Sequence, residues 1–253
     1  TSINSVPFHD LADRFMPLLT YVSNDSTLSA RHRAILILRT AWLAQNGYLW
    51  SAHADRSDHG LSATEIRQLA EGAGDGFTTF EQVLIDLADE MFRNAAVTDR
   101  TWTELSRMYD LPNLADAVVT VSETTSSSIL FNTLGIQPEA GVTELIPSAD
   151  VAYRLDVPSI EPPLTTPRID PVDGDGIRVG RTLRRHPLMA DQWYANPSYV
   201  QSPERSGMTP HDRELLILRT GWNAQSVYEW AKHVGSVGRA RDHGLEPEWI
   251  AQG

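Results

Sequence analysis

RAILILRTAWLAQNGYLWSAH, from Arg33 to His53, and RELLILRTGWNAQSVYEWAKH, from Arg213 to His233, are the same stretch written twice. At an offset of 180 residues the letters R, L, I, L, R, T, W, A, Q, Y, W and H coincide, which is 12 identities in 21 positions. Chance does not produce that, so the chain carries an internal duplication. The register extends upstream to Ser29 and Thr209, both helix-capping residues, the second followed by Pro210 at the first helical position. Downstream it resumes at an offset of 184, with DHGL at Asp58–Leu61 over DHGL at Asp242–Leu245. The first copy therefore lacks four residues, about one helical turn, between its histidine and that motif.

Apolar residues recur at helical spacing on either side of the repeat, and capping signals stand where the runs begin. Ser62 with Glu65 and Thr78 with Glu81 form capping boxes, Thr98 opens a further run, and a long run from Leu114 to Leu134 closes at Gly135. Strand alternation is nearly absent. The sequence therefore predicts an all-α protein with a first repeat over residues 1–137. A proline-rich linker follows over 138–176, and the N-terminal part of a second repeat over 177–253. The second copy stops where the first continues through further helices, so its exposed face predicts a covering partner: a further chain, a lost continuation or a symmetry mate.

Composition narrows the function. A formal charge of -12 repels phosphate backbones, and RTLRR at Arg181–Arg185 is the one short basic run, so nucleic acid is not expected as a partner. No stretch reaches the length of apolar residues a membrane helix needs, and the first residues lack a signal pattern, which predicts a cytoplasmic protein. Cysteine is absent, removing thiolate chemistry and disulfides. No metal-binding spacing of histidines is present, so neither metal nor cofactor is expected.

Chemistry is expected in the second copy. Glu229 and His233 are four apart, on one face of a helix, where a carboxylate can hold one imidazole nitrogen and raise the basicity of the other. Tyr228 and Trp230 flank the glutamate. Trp222, Asn223 and Ser226 lie one or two turns earlier as candidate substrate-binding residues. In the first copy His53 is retained, but Leu49, Asn46 and Leu43 replace Glu229, Ser226 and Asn223. The shared aromatics argue for packing first, the shared Arg39 and Arg219 for structural ion pairs, and His59 and His243 for capping roles. SETTSSS at Ser122–Ser128 either lines a cavity or packs against a neighbouring helix.

The pattern R-E-L-L-I-L-R-T-x-W, followed by Y-E-W-x-x-H and a helix ending in G-L, resembles the carboxymuconolactone decarboxylase and alkylhydroperoxidase D-like superfamily. The first copy follows it to LFNTLGIQPE at Leu130–Glu139. The resemblance implies tandem helical bundles of that fold. Its peroxidase branch carries C-x-x-C-x-x-x-H, and here those cysteine positions are Ser226 and Glu229, which excludes thiol peroxidation. Its decarboxylase-like branch implies a cofactor-independent lyase acting on a small unsaturated lactone or carboxylic acid. His233 would move the proton, Glu229 would orient it, and Tyr228 or Asn223 would contact the oxyanion. A non-catalytic scaffold or binding subunit, or an isomerase or hydrolase of the same fold, is the alternative. The resemblance further implies a homo-oligomer, a trimer of tandems.

Overall fold

A computed structural model describes residues 9–72, 74–137, 166–175, 178–194, 200, 202, 207–234 and 242–245. Most of the expected linker, the four-residue difference between the copies and the residues after Leu245 lie outside them. The described residues are helical, without strands, as the sequence predicts. They divide into two compact units. One takes residues 16–137 and 171–192; the other takes residues 207–234 and 242–245, with residues 9–15, 166–170 and the few around 193–202.

The first unit is built around α2 (Ala30–Leu43). From Ala34 to Leu43 apolar residues fall on every side of the helix, interrupted by Arg39 and Thr40, so this part is stable only when surrounded. Helices α3 (Gly47–Ala54), α4 (Ala63–Glu71), α5 (Thr79–Asn94) and α7 (Leu111–Leu134) surround it, and Ile35, Leu36, Ile37 and Leu38 are all buried. Each such side chain contributes about 1.5–3 kcal/mol on burial, several times any difference in helix propensity, so packing fixes α2 at the centre. Helix α6 (Asp99–Met108) packs on α5 and α7.

Caps form where the sequence places them. Ser29 accepts from the His32 amide, Ser62/Glu65 and Thr78/Glu81 make reciprocal capping boxes, and Gly135 closes α7 in the left-handed region at φ 66°. Arg39 lies buried in the core of this unit. It grips Asp89 of α5 through two nitrogens and donates to the carbonyls of Leu69 and Ala70 at the end of α4. Gly72 makes room for it, since a Cβ there would stand 2.6 Å from the guanidinium. Arg39 is thus a structural ion pair, and its partner Asp89 has no counterpart among the described residues of the second copy. The small polar residues of α7 pack: Thr124 and Thr125 bond back to the carbonyls of Thr120 and Val121, and Ser127 and Ser128 are buried.

Helix α1 (His9–Thr20) runs into a single π turn, Tyr21–Asp25. The short helices α8 (Arg178–Leu183) and α9 (Pro187–Trp193) follow the linker. His186, between them, belongs to the first unit. Its Nε2 lies 3.1 Å from both the Tyr21 hydroxyl and Asp116, a carboxylate that also accepts from the Thr27 amide and hydroxyl. Residues 178–192 therefore pack with the first copy.

In the second unit α10 (Pro210–Asn223) and α11 (Val227–Val234) repeat the design of α2 and α3. Thr209 caps α10 as Ser29 caps α2. Both helix pairs are interrupted at the same place, by Gln45 (φ 52°) and Gln225 (φ 48°). The following residue then caps the next helix: Asn46 accepts from the Leu49 amide, and Ser226 from the Glu229 amide. Trp42 and Trp50 meet at 5.5 Å between ring centres with planes at 59°, while Trp222 and Trp230 meet at 5.5 Å and 56°.

Candidate functional site

Two helix ends and one buried carboxylate make the site. Glu214 sits in the first turns of α10 and is fully buried; His233 lies in the last turn of α11 and is buried as well. His233 Nδ1 is 2.6 Å from Glu214 Oε2, and His233 Nε2 is 3.2 Å from Glu229 Oε1. An ionised carboxylate can only accept, so bonding to two of them favours an imidazole that donates from each nitrogen. The pairing with Glu229, and then with Glu214, raises the His233 pKa above its ordinary value despite burial. Behind this pair, Arg213 Nε stands 3.5 Å from Glu214 Oε1, and an Arg213 terminal nitrogen stands 3.4 Å from His243 Nε2.

The carboxylate that orients the imidazole is therefore Glu214, which the reading from sequence did not single out. Glu229 lies instead at the outward nitrogen, with its side chain 47% exposed. The signal was present. Glu214 faces Ala34 across the repeat just as Glu229 faces Leu49, so the two copies differ by two carboxylates, not one.

The other candidate residues are placed as follows. Ser226 caps α11 with its hydroxyl. Trp230 is partly buried against Leu218 and Leu245 and edges Trp222. Trp222 is 57% exposed, Tyr228 is exposed, and Asn223 ends α10 on the solvent side of the break at Gln225. The break means that Trp222 and Asn223 do not continue the helix that carries Glu229 and His233. Among the described residues, the structure brings Glu229 and His233 together and adds Glu214, Arg213 and His243.

The first copy holds the same histidine in the opposite state. His53 is buried without a carboxylate at either the Ala34 or the Leu49 position. Burial, then the nearby Arg56 guanidinium and His59, push its pKa down to about 4, so it is neutral at pH 7. His59 caps its turn by accepting from the Leu61 amide at 3.0 Å.

No model of a known protein family, no curated protein and no solved structure matches the chain.

Proposed function

We propose that the protein is a cofactor-independent lyase of the carboxymuconolactone decarboxylase type, a tandem of alkylhydroperoxidase D-like helical units with its reaction centre in the second copy. The observation that carries this reading is the chain Glu214–His233–Glu229. It runs from a buried, fixed carboxylate through an imidazole to a carboxylate half in solvent. Such an arrangement fixes the orientation of the ring, favours its protonated form, and directs one nitrogen toward the exposed carboxylate.

The substrate class is a small unsaturated lactone or acid. Loss of CO2 breaks a carbon–carbon bond, and its electron pair moves into the neighbouring carbonyl as an enolate. Glu229, being half exposed, swings off Nε2 to admit the substrate. His233 then delivers its Nε2 proton to carbon and remains as neutral imidazole, its Nδ1–H still held by Glu214. A proton from water restores it. Tyr228 or Asn223 supplies the oxyanion contact.

A second reading, a binding or scaffold subunit, draws on the exposure of Trp222 and Tyr228, which leaves the centre open on that side. A partner chain that covers them would close the site, most simply in a trimer of tandems.

The test is CO2 release from a panel of unsaturated lactones and acids. We expect turnover by the native chain, a loss of about a hundredfold or more in His233→Ala, and a smaller loss in Glu229→Gln. Equal turnover in all three would remove the assignment, and absence of any turnover or saturable binding across the panel would favour the scaffold.

A further inference from the structure

The second copy shows what the first one has lost. At the position where Glu214 directs its carboxylate at His233, the first copy has the methyl of Ala34, and a cleft stands there. It is a shallow cleft, open to solvent, whose inner end holds about 10 Å³, room for a single small polar group such as one carboxylate oxygen, and it is lined by Arg33, Ala34, His53, Arg56 and His59, with Asp58 at its edge. We infer that this cleft is a binding site for a small carboxylate, which takes the place beside His53 that a glutamate side chain fills beside His233.

His53, His59 and Arg33 leave hydrogen-bonding capacity unused at the cleft. His53 is 8% exposed, and its ring makes no hydrogen bond among the described residues. His59 accepts at Nδ1 from the Leu61 amide, so its neutral ring carries the proton on Nε2; that atom is buried and has no hydrogen-bond partner. A buried donor left without an acceptor costs about 1–3 kcal/mol, which a bound oxygen would recover. Among the described residues Arg33 donates only to Ser26, through two contacts of 3.4 Å, and the Asp58, Asp25 and Asp116 carboxylates act on it at a distance, whereas its counterpart Arg213 stands 3.5 Å from a carboxylate. Arg56 is held by Asp58.

The electrostatic state agrees. Burial, and then Arg56, hold the Arg33 guanidinium below the ordinary arginine value, and the same neighbours keep His53 neutral. Arg33, Arg56, Asp58 and His59 are the charged and titratable groups facing His53. An anion among them relieves the repulsion and favours protonation of the ring.

The chemistry of the ligand follows from the deletion. Glutamate exceeds alanine by CH2–COO⁻, the atoms of acetate less one hydrogen. Acetate therefore reproduces the missing group, formate is its smaller analogue, and tetrahedral phosphate is the mismatched control.

The experiment follows the ring resonances of His53 and His59 by NMR in the full chain at constant ionic strength while sodium acetate, formate or phosphate replaces chloride. We expect saturable shifts with acetate and formate, together with a rise of about one pKa unit at His53, equivalent to tenfold tighter binding to the protonated ring. Ala34→Glu should abolish the response, because its own carboxylate occupies the cleft, and should raise the His53 pKa with no ligand added. Arg33→Gln keeps the cleft open and should weaken acetate binding, which serves if Ala34→Glu does not fold. Shifts that do not saturate, a phosphate response equal to that of acetate, or undiminished binding in Arg33→Gln would overturn the assignment.

Discussion

Whether a histidine in this protein carries a charge is decided by two neighbouring positions. Ala34 and Leu49 leave His53 neutral, while Glu214 and Glu229 raise the pKa of His233 and favour its protonated form. A buried acid of the first copy behaves in its own way. Glu123 on α7 is 5% exposed, takes a hydrogen bond from Ser127 at 3.0 Å, and is raised to about pKa 7 by burial. Its folded-state pKa lies above the unfolded value, so the folded chain holds the proton more tightly. Stability is then lost as pH rises from about 4.5 through about 7. Glu123→Gln keeps an acceptor for Ser127 and cannot ionise. At pH 8 we expect it to raise stability by about 1–3 kcal/mol in urea unfolding, and to have little effect at pH 4. An equal effect at both pH values would show that Glu123 does not titrate in the fold.

At the scale of elements, the same helix meets two environments. The residues of α2 are enclosed by α4, α5 and α7, whereas Leu215, Leu216, Trp222 and Val227 of the second copy are exposed, Leu216 at 59%. Leu36→Ala should therefore cost about 2–5 kcal/mol in unfolding. At the matching position, Leu216→Glu should change the unfolding free energy by no more than about 0.5 kcal/mol. If another chain covers that face, Leu216→Glu should also lower the particle mass in light scattering. A monomer in both native and variant protein would exclude the covering chain. Much of this was legible beforehand: the caps at Ser29, Ser62, Thr78, Thr98 and Thr209 and the stop at Gly135 follow from side-chain chemistry within four residues. The break at Gln45 and Gln225 was not, because the repeat reads as one apolar run and glutamine carries no turn signal. Asn46–Gly47 is such a signal in the first copy, and the capping of α3 by Asn46 is its physical basis.

For the whole molecule, duplication and divergence are the organising facts. Trp42–Trp50 and Trp222–Trp230 keep one geometry, and the left-handed glutamines keep one backbone, although the chemistry around them has separated. The division into units was only partly readable. Residues 178–192 follow the proline-rich segment and so look like the start of the second repeat. They join the first unit because His186 finds Asp116 and Tyr21, partners 70 and 165 residues away in sequence. Long-range polar pairs of that kind leave no local trace. Glu214 escaped notice for a similar reason, since its partner His233 is 19 residues distant and across a helix break. Among the described residues no helix is long and apolar enough to cross a membrane.

The claim on which the rest depends is that one duplicated unit lowers the pKa of its histidine in one copy and raises it in the other. Titration of the histidine ring resonances by NMR, with His53→Gln and His233→Gln for assignment, measures this directly. We expect His53 to titrate near pH 4 and His233 above its ordinary value of 6.5, with Glu214→Gln bringing His233 down. If both rings titrate together near 6.5, or His53 titrates above His233, the two copies are not differentiated in this way.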